Sequence, residues 1–575
     1  MTSIDTLLTD HLDLWTSAIA RKSSAGRGRS MKFSLYGIDK LRSLLLDLAV
    51  RGKLVRQDPA DEPASELLKR IDAERRRQIS GGKVKRGKPL KAPDEIPFPI
   101  PHTWVWSQLG AVTNYGETEK HNPGEVEPHT WVLELEDVEK ATSRLIEKVR
   151  YTERQFQSQK NRFYPGDVIY GKLRPYLDKV LIADEAGVCT TEMVPIRPYA
   201  GLEATYLRLF LKAPFFISLA SASTHGMNLP RLGTDRAREA AIAIPPLAEQ
   251  LRIVAKVDEL MALCDRLEAG TYEAIEAHRL LVTELLATLT ASRDAEELAD
   301  NWARVEAHFD TLFVTEDSVD QLKQAILQLA VVGRLVPQDP KDEPASELLK
   351  RINAEKMPSK KRDRSTSSKE SDSIALNEMP GSLPKGWEWS RFSSVADVNV
   401  RLVHPASYQD HWQVAPDIIE KATGRLLEKR TVYQSGINGP NSIFSAGQII
   451  YSKIRPSLSK VVKVDFDGLC SADMYPLISH INSDYLLNVI LSEVFLSQVR
   501  KVENRVKMPK LNVESLNNII VPVAPIAEQA RIISKINELS SLCDAMKSAL
   551  SGARAIELDL SDALVAGAVS DAQCA

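Results

Sequence analysis

Two short segments of the chain carry the same pair of cations at the same spacing. Lys172 and Arg174 are separated by one residue and precede a proline, and Lys453 and Arg455 repeat that arrangement. Both groups stay positively charged at neutral pH, and the guanidinium fork binds anionic oxygens in pairs. Two interpretations stay open for each segment: contact with an anion, and stabilisation of the turn that the Arg-Pro pair forms.

The sequence contains no convincing catalytic motif. Residues 82–88 approach a phosphate-binding loop, but Pro89 stands where a serine or threonine would ligate magnesium, and no strand precedes the segment. Residues 122–124 read Asn-Pro-Gly and therefore fail the Asn-Pro-Pro-aromatic motif of DNA methyltransferases. No nuclease arrangement of carboxylates with a lysine is evident. We therefore expect no catalytic residue in this chain.

Cysteine spacing also gives no metal site. Of five cysteines, Cys189 matches Cys470 and Cys264 matches Cys543 between two repeats, and none belongs to a Cys-x-x-Cys pair. We interpret them as small buried hydrophobic residues and predict no bound metal.

Composition indicates a soluble globular protein of several domains. The chain has 575 residues, 43% of them hydrophobic and 26% charged, with a net charge of -3. No apolar run reaches the roughly 18 residues of a membrane span, and no apolar secretory core stands at the start, so we expect a cytoplasmic protein. The net charge argues against a protein that coats nucleic acid through general positive charge, but not against local basic surfaces.

The chain repeats itself. Leu48–Pro59 returns as Leu329–Pro340, an offset of 281 residues that many further blocks share to within about two. Two copies of one unit imply pseudo-two-fold symmetry and two similar surfaces for an extended partner.

Each copy begins with short helices and a basic linker. Leucines from Leu35 onward recur at helical spacing, with Gly52 and Gly333 as expected C-terminal caps. An Asp-rich turn follows, which we interpret as turn and cap rather than as a metal site, and Pro63 and Pro344 are expected at the first position of a second helix.

A mixed segment and a long helix complete each copy. Short β-type runs such as 168–170, bounded by Pro-Gly and Arg-Pro, predict an α+β domain of about 140 residues. From Leu247 and from Ile526 the apolar residues step by three or four, which predicts helices to about Leu289 and about 565. A narrow apolar seam on so long a helix requires a partner helix. The pattern closes into a circle if the C-terminal helix packs against the N-terminal helices.

These features predict eight segments. They are an N-terminal extension (1–34, with residues 1–30 loosely ordered), N-terminal helices that pack with the C-terminal helix (35–77), a basic linker (78–99), a first domain (100–246), a central helical region (247–356), a polar linker (357–382), a second domain (383–523) and a C-terminal helical region (524–575).

The chain resembles the specificity subunit of a type I restriction-modification enzyme. The resemblance covers nearly everything after residue 35. It rests on the Gly-Asp-Val-Ile-Tyr-Gly-Lys-Leu-Arg-Pro segment (166–175) and on the helix start Pro-Pro-Leu-Ala-Glu-Gln-Leu-Arg-Ile-Val (245–254), both duplicated in order.

The resemblance implies a fold, partners and cofactors. It implies an α+β fold in which two pseudo-symmetric target-recognition domains alternate with long antiparallel, coiled-coil-like helical spacers in a circular arrangement. Each domain would read one half of a bipartite site on double-stranded DNA. The helices would bind two methyltransferase subunits, and nuclease/translocase subunits would join them. S-adenosylmethionine, ATP and Mg are then expected on those partners, with no cofactor on this chain.

The resemblance also divides the polar residues by role. Cations present in both copies cannot encode a difference in sequence preference, so we expect them on phosphates; Arg231 and Lys510, which flank matched prolines, could serve either role. The loops that differ between the copies hold the expected base-reading residues, because Asn, Arg and Lys suit base edges. His121 and His404 lack a second ligand at zinc spacing. The expected phosphate contacts are Lys172, Arg174, Lys179, Arg231, Lys453, Arg455, Lys460 and Lys510; the expected base readers are Asn114, Lys120, His121, Asn122, His225, Asn228, Asn399, Arg401, His404, Asn504, Arg505 and Lys507.

Three alternative functions differ in how well the sequence fits them. A related type II system with a fused methylase and nuclease would use a similar subunit. A DNA-modifying enzyme would need the catalytic motifs that the chain lacks. A purely structural coiled-coil linker would not explain two large domains with duplicated Lys-x-Arg-Pro segments.

Overall fold

The structure is a computed structural model of the chain, and it combines helices and sheets. It describes residues 4–21, 33–81, 90, 96–222, 224–225, 229–356, 374, 378–502 and 509–574. The chain divides into two compact units. The first unit is Met1–Ile275 with Ala553–Ala575, and the second unit is Glu276–Gly552.

The first unit intersperses its helices with short strands along the chain. Its helices are α1 (Ile4–Asp10), α2 (Leu12–Ser17), α3 (Tyr36–Val50), α4 (Ala64–Ser80), α5 (Leu109–Val112), α6 (Ala204–Lys212), α7 (Pro214–Ala222) and α8 (Thr234–Glu239). Its strands are β1 (Ala20–Arg21), β2 (Phe33–Ser34), β3 (Val105–Gln108), β4 (Lys120–His121), β5 (Trp131–Leu133), β6 (Lys160–Phe163), β7 (Val168–Gly171), β8 (Val180–Ile182), β9 (Gly187–Cys189), β10 (Met193–Ile196), β11 (Thr224–His225), β12 (Arg231–Leu232) and β13 (Ala241–Ile244).

Two sheets and a closing ribbon build the first domain. One sheet has the order β4-β6-β9-β5, with β5 and β9 parallel, and the other has the order β10-β7-β8. The first and last strands, β3 and β13, pair antiparallel with Ile244 opposite Val105. The chain therefore enters and leaves this domain side by side.

Helix α9 (Leu247–Thr290) follows β13, and the second unit then repeats this plan. Its helices are α10 (Ala295–Ala307), α11 (Phe309–Leu312), α12 (Glu316–Val331), α13 (Ala345–Lys356), α14 (Phe392–Val395), α15 (Val432–Ser435), α16 (Ser483–Leu491), α17 (Glu493–Val502) and α18 (Val513–Asn518). Its strands are β14 (Glu388–Arg391), β15 (Ala396–Val398), β16 (Leu402–Val403), β17 (Trp412–Val414), β18 (Arg430–Thr431), β19 (Asn441–Phe444), β20 (Ile449–Ser452), β21 (Val461–Lys463), β22 (Gly468–Ser471), β23 (Met474–Ser479) and β24 (Ile520–Val523).

The second domain has one more strand in each sheet. The orders are β16-β19-β22-β17-β18 and β15-β23-β20-β21, and β14 pairs with β24 at the closure. The additional strands are β15 and β18. The shared core strands, β7 and β20, are buried at every position, which explains their continuous apolar sequence.

Two long helices follow the domains. The helix Leu247–Thr290 confirms the predicted end near Leu289, whereas the helix Ile526–Cys574 continues nine residues beyond the predicted end at 565. Gly52 and Gly333 stand two residues beyond α3 and α12 with φ of 71° and 74°, as expected for C-terminal glycines. Among the described residues, no helix has both the length and the apolar composition needed to cross a bilayer.

The expectation of a loosely ordered N-terminus is wrong for the residues that the structure describes. Trp15 of α2 is fully buried in the core that α3 also lines. Gly37 donates its backbone N–H to Ala18 O at 3.0 Å, and a Cβ at Gly37 would lie 2.5 Å from Trp15 O. The indole and this close backbone approach hold the segment in place, because burying an aromatic ring stabilises by several kcal/mol.

Candidate functional site

The two Lys-x-Arg-Pro segments adopt the same uncommon backbone conformation. Arg174 has φ 51° and ψ 64°, and Arg455 has φ 45° and ψ 55°, both in the left-handed region. Each donates its backbone N–H to a proline carbonyl on a second loop, Pro230 O at 2.7 Å and Pro509 O at 2.8 Å. A left-handed arginine costs roughly 1–2 kcal/mol. A conformation of that cost, kept in both copies, indicates that it serves the site.

The conformation turns both arginine side chains into solvent. Arg174 and Arg455 are exposed, and neither forms an ion pair within the described part of the chain. The ammonium of Lys453 lies 5.4 Å from the centre of the Tyr475 ring. An arginine that stabilises the fold would pair with an internal carboxylate. The exposed arginines are instead available to an external anion.

The second pair of expected phosphate contacts is oriented differently. Lys179 donates its ammonium to Leu135 O at 2.6 Å, and Lys460 donates to Pro416 O. Burial lowers the pKa of Lys179. These contacts support a role in holding the neighbouring loop, since each lysine satisfies a backbone carbonyl.

The third pair lies beside the arginine turn and carries a partner of its own. Arg231 Nε donates to Glu192 Oε2 at 2.9 Å, which raises the pKa of the guanidinium. Lys510 repeats the pairing with Asp473 at 3.3 Å. Both cations lie next to the turn, because Leu173 forms a β-bridge with Arg231 and Ile454 forms one with Lys510.

The expected base readers of the first domain are largely engaged within the protein. Asn114 Oδ1 accepts from Arg197 N at 2.6 Å, and Asn122 forms a capping box with Glu125. His121 Nε2 lies 3.1 Å from a Glu119 carboxylate oxygen. These contacts support structural roles for the two asparagines.

Lys120 is the member of this set that the structure brings to the cationic turn. It is exposed on β4 and donates to Asn161 Oδ1 at 2.5 Å. Burial and then the charge of Lys172 lower the pKa of its ammonium, so the two cations lie within electrostatic reach.

The expected base readers of the second domain differ in their engagement. Arg401 is exposed, and its backbone N–H donates to Ser442 Oγ at 3.0 Å. His404 caps a short 3-10 helix, because its Nδ1 accepts from Ala406 N at 3.3 Å. Asn399 is half-buried and donates its backbone N–H to Pro476 O. His225 lies in β11, of which only the backbone is described; Asn228, Asn504, Arg505 and Lys507 lie outside the described residues.

A buried cluster at the start of each long helix was not recognised as functional from the sequence. We call it the Glu-Gln-x-Arg cluster; its first copy is Glu249, Gln250 and Arg252. The Glu249 carboxylate is fully buried and accepts from Trp104 Nε1 at 3.0 Å and from Gln57 Nε2 at 2.9 Å. Burial raises the pKa of this carboxyl, while the two hydrogen bonds act in the opposite direction.

The other two side chains of the cluster hold further elements. Gln250 Oε1 accepts from Glu203 N at 2.9 Å, and its Nε2 donates to Pro245 O at 3.0 Å. Arg252 pairs with Asp61 at 2.5 Å, which confirms a structural role for the Asp-rich turn. The cluster therefore joins the helix to the residue that precedes the first strand, to the start of α6 and to the preceding turn.

The second copy reproduces every contact type. Glu528 accepts from Trp387 Nε1 at 3.0 Å and from Gln338 Nε2 at 3.1 Å. Gln529 Oε1 accepts from Asn482 N at 3.0 Å, and Arg531 pairs with Asp342 at 2.6 Å. Both domains are thus fastened to their helices by the same side chains.

The described residues contain no group of three or more His, Cys, Asp or Glu side chains placed to ligate a metal ion. Burial raises the pKa of the Cys470 thiol to about 12, and Cys189, Cys264 and Cys543 are also buried. These four thiols are accordingly poor metal ligands and poor nucleophiles.

The chain is similar to proteins of one known family. The model of the type I restriction modification DNA specificity domain matches residues 117–277. The specificity subunits of the type I restriction enzymes EcoAI and EcoEI of Escherichia coli are each 36% identical to this chain, over 99% of it and 100% of their own length. A chain in a structure described as the complex assembly and conformational transition of the type I R-M system is 19% identical, with a TM-score of 0.49, over 84% of this chain and 99% of that one.

The two full-length relatives settle the family, because their similarity extends over both domains and both helical regions. This chain belongs to the specificity subunits of type I restriction enzymes, the non-catalytic components that recognise the DNA target.

Proposed function

We propose that the chain reads a bipartite DNA target with one domain for each half-site. The observation that carries this proposal is the duplicated arginine turn, which presents Arg174 and Arg455 identically on two domains with divergent loops. In this proposal the exposed arginines bind phosphates, and the loops around them meet base edges. Two methyltransferase subunits and the nuclease/translocase subunits assemble on the helices and bring S-adenosylmethionine, ATP and Mg.

Two readers on one chain solve a problem of specificity. Each correct base pair contributes only about 1–3 kcal/mol, so one short half-site cannot be distinguished from the many competing sites of a genome. Two half-sites read together multiply their discrimination, provided that the chain keeps the two domains at a constant separation.

The proposal includes a circular arrangement of pseudo-symmetric domains and antiparallel helical spacers. The first unit supports closure, because α3 contacts both long helices. Lys40 pairs with Asp562 of the C-terminal helix at 2.7 Å, and Arg42 pairs with Asp265 of the central helix at 2.6 Å.

The second unit offers the matching pair of contacts around α12. Thr283 donates to Gln321 at 2.8 Å, and Lys323 pairs with Asp544 at 2.7 Å. Gln321 and Lys323 stand 281 residues after Lys40 and Arg42. Each short helix thus meets one segment of each long helix at equivalent positions, as a circular repeat requires.

Exchange of the second domain tests the proposal directly. Replacing residues 383–523 by the corresponding domain of another family member is expected to change one half of the methylated target and to leave the other half intact. The measurement is methylome sequencing of a host that carries the complete system, with the unaltered gene and with a gene deletion as controls. A change in both halves, or a continuous target, contradicts the assignment of one domain to each half-site.

Replacing Arg174 by alanine tests the phosphate contact. We expect weaker binding to all DNA sequences alike and a salt dependence reduced by about one unit of slope. The melting temperature should stay unchanged, because the side chain is exposed and unpaired among the described residues.

The matched control is Arg279→Ala, which removes an exposed arginine from the central helix, where it pairs with Glu276. This control should keep the original slope. A destabilised Arg174→Ala protein with an unchanged salt slope shows that the arginine supports the fold instead.

A further inference from the structure

The edge strands β4 and β16 place two unlike residues at equivalent positions. Lys120 lies opposite Asn161 in the first domain, and Leu402 lies opposite Ser442 in the second domain. Asn161 and Ser442 are themselves separated by the repeat offset of 281 residues. Lys120 and Leu402 are therefore structural counterparts, although they do not align by residue type.

Leu402 is exposed to an unusual degree for a leucine in a strand. It is 59% exposed, and Val400, two residues earlier, is 45% exposed. The second domain thus presents a small apolar surface where the first domain presents an ammonium group.

Leu402 belongs to the same row of paired residues as Cys470. Ser442 pairs with Leu402 on one side and with Cys470 on the other, so Leu402 lies about 10 Å from Cys470 across two strand spacings. The charge of Lys453 reaches the Cys470 thiol and opposes the rise of its pKa through burial. The first domain repeats this geometry, because Asn161 pairs with Lys120 on one side and with Cys189 on the other.

We propose that Leu402 is a specificity-determining residue that packs against the C5-methyl group of a thymine in the second half-site. This inference rests on the proposed reading of DNA by both domains. The major groove exposes the thymine methyl group as its apolar feature, and aliphatic side chains recognise it. The cations that both domains share bind the DNA backbone. The equivalent position is a lysine in the first domain and a leucine in the second, and a base-reading position must differ in this way if the two half-sites differ.

Deoxyuridine supplies the sharpest probe, because it differs from thymidine only by the missing methyl group. The full-length chain is purified in complex with its methyltransferase subunits, and its methylated target is identified by methylome sequencing. Duplexes with one thymine at a time replaced by uracil are then titrated against the unaltered protein and against Leu402→Ala.

We expect one thymine of the second half-site at which uracil weakens binding about fourfold, the change that one buried methyl group brings. Leu402→Ala should weaken binding to the thymine duplex and lose all sensitivity to uracil at that position. At thymines of the first half-site, replacement by uracil should change the affinity of Leu402→Ala and of the unaltered protein by the same factor. Leu427→Ala is the control: it is 63% exposed, and it precedes β18, the opposite edge of the same sheet.

Two outcomes overturn the inference. One is a second half-site in which no position responds to uracil, and the other is a Leu402→Ala protein that retains the full uracil penalty. Failure of the proposed function is visible earlier and separately, because the methylome would then show a continuous target or no target that depends on this gene.

Discussion

Replacing Lys212 by methionine is expected to destabilise the first unit by about 3–5 kcal/mol, because it leaves a buried carboxylate without its partner. The Lys212 side chain is nine-tenths buried, and its ammonium donates to Asp178 Oδ2 at 2.6 Å, to Ser143 Oγ at 2.8 Å and to Ala141 O at 2.7 Å. Burial lowers the pKa of Lys212 and raises the pKa of Asp178, so both groups are costly to keep charged. Urea unfolding followed by tryptophan fluorescence measures the loss.

The second domain supplies the matched control for this prediction. Gly424, Ser459 and Leu491 stand where the first domain has Ser143, Asp178 and Lys212. A Cβ at Gly424 would lie 3.3 Å from a methyl carbon of Leu491, so an apolar chain occupies the site. The triple variant S143G, D178S, K212L should recover most of the stability lost by Lys212→Met, since well-packed apolar groups replace buried ion pairs without loss. A triple variant as unstable as the single one refutes this account.

Replacing Glu249 by alanine should cost about 2–4 kcal/mol of stability, because the buried Trp104 N–H loses its acceptor. The carboxylate also accepts from Gln57, which has a second acceptor in Gly52 O at 2.9 Å, so the indole suffers the larger loss. Glu259→Ala on the same helix is the control; Glu259 is exposed and pairs with Lys256 at 3.1 Å. Its removal should change stability by less than about 0.5 kcal/mol. Equal effects of the two variants contradict a special role for Glu249.

The Glu249 carboxyl should also contribute to the pH dependence of stability. Because burial raises its pKa above the usual 4.5, the folded state binds the proton more tightly than the unfolded state does. The stability that this proton binding contributes is fully present below the usual carboxyl pKa, and it is lost as the pH rises through the raised pKa of the folded state. Glu249→Gln removes this part of the pH dependence, and unfolding curves between about pH 4 and 7 measure it.

The sequence was informative wherever burial is periodic. The helix Leu247–Thr290 and the strand Val168–Gly171 follow the predicted patterns because one stripe or both faces of these elements are covered by apolar neighbours. The duplicated offset of 281 residues strengthened each assignment, since a pattern seen twice is rarely accidental.

The N-terminal helices escaped prediction because their stability comes from a distant contact. Helix α2 has six residues, and the burial of Trp15 against the α3 core cannot be inferred from so short a pattern. The sequence did contain a weak signal, because His11-Leu12-Asp13 resembles His308-Phe309-Asp310. Each histidine precedes a short helix, and the two histidines have nearly the same φ, -122° and -123°.

The site was predicted less well than the fold. Asn122 followed three residues later by Glu125 is a capping-box pattern, so the sequence already contained a structural explanation for that asparagine. Leu402 was missed because apolar residues are normally assigned to the core, and only its exposure reveals another role.

The two copies of the Glu-Gln-x-Arg cluster also bear on how such proteins diversify. Because Glu249 and Glu528 fasten their domains through the same set of bonds, either attachment point offers an incoming domain the same fit. The two domains differ in their interiors, for example at Lys212 and its counterpart Leu491. Each such residue contacts its own domain, so it is transferred together with that domain in a genetic exchange. On the proposed reading of one half-site by each domain, a population holding n interchangeable domains assembles on the order of n squared ordered pairs of half-sites without any change to the helices.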